Sequence, residues 1–226
     1  MERVKLICLA NSYRPPSSRC IAGLSEQAHW IRPISPRSEG SLSWTERRLN
    51  GGRDPVILDR IVVPLSRAAS EPHQPENWVI APEPWQFEGS LNSSEAEHLL
   101  EPILHREREI FGDTKDHRSF AALEENPAGE SLLLLEPDDL VWTVDHNGWE
   151  DKRRYRTVFH QEGQAYDLSV TDPVIRSLLA QKEDGTYDAD LDGGIGSKRM
   201  FLTLSLAGPL DNGNCYKLVA AAVPIL

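Results

Sequence analysis

The chain reads as mainly β, folded as two small barrels with a helix between them. Short apolar runs rich in Val, Ile and Leu fill both ends of the sequence and are separated by Gly, Pro, Asn and Asp. One stretch near the middle carries apolar residues at helical spacing. Strands and helices do not alternate, which argues against a parallel sheet wrapped by helices. At 226 residues the chain is long for one domain and comfortable for two small ones. The expected division is a first barrel over residues 1–92, a connecting helix and loop over 93–129, and a second barrel over 130–226.

Taken in order, strands are expected near 3–10, 19–23 and 28–34. The first is an apolar run ending in Asn11, Ser12, Tyr13 and Arg14. The second follows a Pro15-Pro16-Ser17-Ser18 turn and ends on Gly23, and the third carries Trp30, Ile31 and Arg32. A helical turn is expected over Leu42–Leu49, begun by Ser41, then a strand over Ile57–Leu65. Pro72, Pro75, Pro82 and Pro84 exclude a helix in their tract and suit loops around a short edge strand at Trp78. The long helix is expected to start after a Ser93/Ser94 cap and to run through Ile110, with Pro102 as a kink or a late start. Residues 112–129 read as a polar loop.

Beyond Glu130 the spacing predicts strands over 131–136, 140–144, 152–160 and 165–171, with a hairpin turn at Gln161–Gln164. Asp172 and Pro173 open a short helix, Val174–Lys182, as cap and first helical residue. Residues 183–197 are acidic and Gly-rich and read as a mobile loop. Phe201–Leu206 and Cys215–Val223 form a last hairpin.

A net charge of −11 argues against general, salt-driven adhesion to nucleic acid, but the charge is uneven. Residues 1–60 hold ten cations, nine of them Arg, against six carboxylates, leaving about −15 on the remainder. Arginine suits planar, bidentate contact with phosphates and base edges. A localised basic face on an acidic body suits a selective binder.

Two groups of residues could form that face. Asn11, Ser12, Arg14, Arg19, Trp30 and Arg32 place amide, hydroxyl and guanidinium groups at strand ends, with Trp30 available to stack on a base. The structural alternative puts Trp30 in the core and pairs Arg32 with Glu26 or Asp59. Lys152-Arg153-Arg154-Tyr155-Arg156 lies on an expected strand, so Lys152, Arg154 and Arg156 share one face and Arg153 and Tyr155 the other. That strand is a nucleic-acid surface, a solvated edge that protects a barrel from aggregation, or a partner for the acidic loop at 184–192. Asp167 is placed to orient an Arg of this strand across the hairpin.

Catalytic signatures are sparse. The seven His show no HExxH pattern, and the Cys and His spacing offers no zinc site. Gly193-Gly194-Ile195-Gly196-Ser197-Lys198 falls short of a phosphate-binding loop. Cys20, with His29 on the next strand, is a Cys–His pair lacking a third member. Cys8 and Cys215 sit in apolar runs and read as reduced, buried thiols of a cytoplasmic protein. No membrane span, cofactor or metal is implied.

The segments Leu9–Pro15, Arg19–Gly23 and Trp30–Ser35 resemble, with His73–Asn77, Tyr166–Pro173 and the closing Leu202–Leu206 and Cys215–Ala221, the bacterial family described as having a dual OB-containing domain. The likeness runs in order along nearly the whole chain. It matches Asn11, Ser12, Arg19, Cys20, Gly23, Trp30, Arg32, Asp167 and Thr171, and departs at the Pro15–Ser18 turn, where a more Gly-rich loop is expected. The resemblance implies two OB-like β-barrels and a role with nucleic acid, in modification or defence systems. The resulting expectation is a module that binds single-stranded or modified nucleic acid. Two rivals stay open: an enzyme acting on a nucleotide or base through Asn11, Arg19, Cys20 and Arg32, and an adaptor that binds a protein partner in a multigene system.

Overall fold

Leu6–Ala10 is apolar without alternation, the pattern of a strand buried on both faces. In the computed structural model, which describes residues 1–147, 152–191 and 199–225, both faces are indeed covered. Leu6 and Cys8 enter the interior of a first barrel with Ile21, Ile61 and Val63. Ile7 and Leu9 face the other way, into a cluster shared with Phe201 and Val223 of a second barrel.

The first barrel uses β1 (Glu2–Arg14), β2 (Ser18–Ser25), β3 (Trp30–Ile34), a one-turn helix α1 (Trp44–Arg47), β4 (Asp59–Ala68), β5 (Asn77–Ile80) and β6 (Gln86–Ser90). β1, β2 and β3 are antiparallel, β3 runs parallel to β5, β5 is antiparallel to β4, and β4 returns to β1. The five strands close into a barrel, with β6 added beside β4. The strand in the Pro-rich tract is therefore central, not an edge. Its prolines lie outside Asn77–Ile80, so none removes a donor from the two ladders that β5 joins.

Next come α2 (Ser93–Leu100), β7 (His117–Ser119), α3 (Phe120–Glu125), β8 (Leu132–Leu135), β9 (Asp138–Asn147), β10 (Lys152–Gln161), β11 (Gln164–Val170), α4 (Pro173–Leu179), β12 (Gly185–Asp188), β13 (Arg199–Leu206) and β14 (Asn214–Ile225). β9, β10 and β11 are antiparallel, β11 runs parallel to β14, and β14 pairs β13, which pairs β8. This is the path of the first barrel with its first strand cut in two. β8 meets β13 as β1 meets β4, and β9 meets β10 as β1 meets β2. The cut falls at Pro137, which has no N–H for a ladder, and beside Asp139, whose φ of 51° turns the chain.

Several expectations are corrected. α2 is capped by Asn92, not by Ser93 or Ser94: Glu95 N–H donates to Asn92 Oδ1 at 2.9 Å and Asn92 N–H to Glu95 at 2.9 Å, a reciprocal capping box. The helix ends at Leu100, and a 3-10 turn over Glu101–Ile103 accommodates Pro102. Ile110 is not on a helix but in the core of the second barrel. The expected loop at 112–129 contains β7, which pairs β14, and α3. The one-turn helix follows Ser43, not Ser41. Part of the expected acidic loop is β12, paired with β9, and Leu191 beyond it is buried in the core; the stretch 192–198, which holds Gly193–Lys198, lies outside the described residues.

The barrels meet over a largely apolar junction. Leu9 and Leu24 of the first pack with Leu134, Phe201 and Val223 of the second, and Leu100 of α2 fills the side. Small residues, Ala10 and Ala22 against Leu132 and Ala220, let the sheets approach closely. Arg199 reinforces the edge by donating to Glu97 and Glu101 of the α2 region and to Glu136, at 2.6–2.7 Å. Among the described residues no helix is long and apolar enough to cross a membrane.

Two outcomes follow from the first barrel. A Cβ on Gly23 would stand 2.2 Å from the Ile7 carbonyl oxygen, so Gly23→Ala is expected to destabilise the chain by about 3 kcal/mol in urea unfolding. Burial, with Asp59 nearby, pushes the Cys8 thiol up from 9.0 to about 12. The unfolded thiol ionises first, so stability falls as pH rises from about 9 towards 12. Unfolding midpoints of Cys8→Ala across that range should lack this component.

Candidate nucleic-acid interface

β1 outruns its own barrel. Its pairing with β4 stops at Ile7, while its pairing with β2 continues to Arg14. The projecting tip docks on the second barrel: Tyr13 N–H donates to the Thr171 carbonyl at 2.7 Å, and Ser12 Oγ to Thr171 Oγ1 at 2.7 Å. Thr171 is itself held by its N–H and hydroxyl, both donating to the Val219 carbonyl at 2.8 and 3.0 Å. Asn11 is buried and donates to the Pro55 carbonyl at 2.7 Å, while its Oδ1 has no partner among the described residues. Arg14 is exposed.

Trp30 and Arg32 lie in the junction, not on an open face. Trp30 packs against the two inter-barrel clusters. Arg32 is buried and donates to Ser131 Oγ at 2.8 Å and to Ser205 Oγ at 3.3 Å. Ser131 in turn donates its N–H and hydroxyl to Glu76 at 2.5 and 2.6 Å. Burial lowers the Arg32 pKa, and the Glu76 charge opposes that shift. The expected partners Glu26 and Asp59 are not used; Asp59 pairs with Arg53 at 2.7 Å.

What the junction leaves open is an alternating row of arginine and tyrosine. The β1–β2 register sets Arg19 opposite Tyr13, with its guanidinium carbon 5.4 Å from the ring centroid. Arg176 of α4 approaches the same ring at 5.3 Å and the Tyr155 ring at 4.7 Å. Arg153 approaches Tyr155 at 5.9 Å. Arg19, Tyr13, Arg176, Tyr155 and Arg153 thus run from β2, across the junction, to β10, within the range of cation–π attraction.

The position of α4 fixes this row. Asp172 accepts from Val174 N–H at 2.7 Å and Ile175 N–H at 3.1 Å, capping the helix, and from Ala222 N–H at 2.8 Å, pinning it to β14. Burial raises the Asp172 pKa in spite of these three bonds. Ile175 and Leu179 are buried one turn apart, which leaves Arg176 on the side facing Tyr13.

Two of the row's three arginines keep their charge unpaired among the described residues, while Arg153 lies 3.9 Å from the Asp184 carboxylate. Neither Arg19 nor Arg176 has a carboxylate at ion-pair distance among the described residues, and Arg19 Nε is buried without a partner. Burial and the neighbouring Arg47 lower the Arg19 pKa, with Asp54 acting against them. Arg153 donates to the carbonyls of Ala180, at 2.9 Å, and Lys182.

The opposite face of β10 differs. Lys152 and Arg154 are exposed, and Arg154 makes a two-pronged bond to Asp145 at 2.6 and 3.0 Å. Arg156 donates to the Asp167 carboxylate at 2.7 Å and to Ser169 Oγ at 3.1 Å. Asp167 therefore orients an arginine across the hairpin. Ser169 is two residues from Thr171, so the basic strand and the β1 tip converge on β11. Cys20 and His29 are not brought together. β2 pairs Leu24 with Trp30, which sets His29 beside Ser25, five residues and roughly 16 Å along the strand from Cys20.

Tyr13 and Arg176, the joints of the row, do not stand out in the sequence. Their only local signals are an aromatic between Ser12 and Arg14 and a cation on the polar side of a short helix.

The model of the dual OB-containing domain family matches residues 4–222. The chain belongs to that family. The two barrels of this dual OB protein share one strand path, and the second covers the β2–β3 face of the first, the face that OB folds use for ligands. No curated protein matches it in sequence. Among solved structures, the tetrameric p202 HIN2 is similar over 100% of this chain and 92% of its own, at 8% identity and a TM-score of 0.31.

Arg32→Ala is expected to lower stability by about 3 kcal/mol, because it leaves the half-buried Glu76 charge and two buried seryl hydroxyls without their cation. Thermal unfolding would register that loss even in the absence of any ligand.

Proposed function

We propose that this dual OB unit binds single-stranded nucleic acid along the Arg19–Tyr13–Arg176–Tyr155–Arg153 row. The observation that carries the reading is the pair Arg19 and Arg176, set against tyrosine rings and lacking carboxylate partners. Guanidinium groups free of local counter-charge attract phosphates, and tyrosine rings offer stacking surfaces that only unstacked bases can use. A duplex keeps its bases stacked inside, so single strands fit this row better. The overall charge of −11 opposes every contact outside it. Selectivity for the row and strong salt dependence are the consequences. Lys152, Arg154 and Arg156 contribute little to affinity in this reading, since Arg154 and Arg156 already bond to Asp145 and Asp167.

Fluorescence anisotropy with labelled single- and double-stranded DNA and RNA, at two salt concentrations, tests the reading. Single strands should bind more tightly than duplexes. Arg176→Ala should weaken that binding roughly tenfold and reduce the salt slope by about 1, with circular dichroism unchanged. Absence of binding by every strand at low salt would overturn the proposal.

A further inference from the structure

We propose that a recess in the second barrel, at the fork between β11 and β14, takes a guanine base; as a site on the bound strand it rests on the function proposed above. β11 runs alongside β14 only at Ser169–Leu218 and Val170–Val219. Before that pair β14 is joined instead by β7, through Asn214–Ser119, Cys215–Arg118 and Tyr216–His117. The strands part around a recess of about 350 Å³, at the small end of ligand pockets.

The two walls differ in chemistry. On the β14 side stand the Tyr216 ring and Leu210, whose side chain is conspicuously bare at 58% exposure. Tyr216 is held in place by the His117 ring at 5.4 Å and by Asn212 Nδ2, which donates to its hydroxyl at 3.0 Å. A fixed aromatic ring beside an exposed leucine suits a flat heterocycle. On the β11 side Arg156 is fixed by three bonds, to the Asp167 carboxylate, the Asp167 carbonyl and Ser169 Oγ, at 2.7, 2.8 and 3.1 Å. Its guanidinium lies next to the Asp167 carboxylate, of which Oδ2 has no partner among the described residues. Asp116, at the β7 end, adds a second carboxylate.

Of the two cations in the lining, Arg156 is bonded to Asp167 and Lys217 to Asp113, so neither is free for a phosphate, and the carboxylates of Asp116 and Asp167 favour N–H donors. The wall offers a donor, Arg156, followed by the acceptors of Asp167. Guanine alone among the common bases presents the complement along its pairing edge, the O6 acceptor followed by the N1–H and N2–H donors. Cytosine and adenine present one amino donor next to an acceptor, and uracil and thymine one donor between two acceptors. The recess lies on the face of β10 opposite Tyr155 and Arg153, and a bound strand would reach it round the β1 tip. Ser169 lies two residues, about 7 Å, along β11 from Thr171, where the β1 tip docks.

The test titrates the full chain with guanosine, inosine and uridine 5′-monophosphates, following the backbone amide resonances of Leu168, Leu210, Tyr216 and Leu218. Guanosine monophosphate should shift them with roughly tenfold tighter binding than inosine monophosphate, which lacks the N2 amino group, or uridine monophosphate. Asp167→Asn should erase that preference while leaving the binding of guanine-free oligonucleotides intact. Equal responses to the three nucleotides, or shifts confined to other residues, overturn the guanine site, whether or not single strands bind. A guanosine-specific response in a chain that binds no oligonucleotide supports the recess and removes only the strand reading.

Discussion

Everything else in this fold depends on a strand buried on both sides. Leu6 and Cys8 anchor β1 in its own barrel, while Ile7, Leu9 and Ala10 anchor it against the other. An isolated OB barrel would leave the second set in water. Each apolar side chain buried in this way is worth about 1.5–3 kcal/mol relative to exposure, so the pairing of barrels is built into the first strand. Arg32 adds a polar lock at the same surface. Its charge is tolerated there because Ser131, Ser205 and Glu76 surround it.

That docking explains where a ligand can go. The β2–β3 face of the first barrel is filled by Ala220, Leu132 and Ser131, so a strand cannot lie across it as in a lone OB fold. The accessible chemistry moves to the rim of the junction, where the projecting β1 tip meets α4. Tyr13 and Arg19 come from one barrel, Arg176, Tyr155 and Arg153 from the other. Neither barrel alone carries the row, and a ligand lying along it would add its binding free energy to the docking of the two halves.

The strands were legible because their signals are local. Alternation, β-branched runs and turn residues mark β10, β11 and the hairpin between them, where Glu162 and Gly163 both adopt positive φ, at 48° and 74°. The cap of α4 by Asp172 was equally local. What could not be read was partnership across long separations. The Pro-rich tract looks like an edge because nothing near Trp78 announces that β3 and β4 flank it. Ile103 and Ile110, seven residues apart, have helical spacing, yet they serve two different apolar clusters. Arg32 sits on a strand that reads as a binding face, and its contacts with Ser131 and Ser205, 99 and 173 residues away, turn it into a junction residue. The Arg–Tyr row was half visible: Arg19, Arg153 and Tyr155 are conspicuous, while Tyr13 and Arg176 gain meaning only from the fold.

The same separations bear on how the chain is made. Ser12 bonds to Thr171 across 159 residues, and the Leu9 face waits for Phe201 and Val223. On a ribosome adding about 5–20 residues each second, the first barrel emerges many seconds before its covering strands exist. Through that interval Leu9, Leu24 and Trp30 form an open apolar surface on a nascent chain, the kind of surface that chaperones hold and that aggregates when they do not.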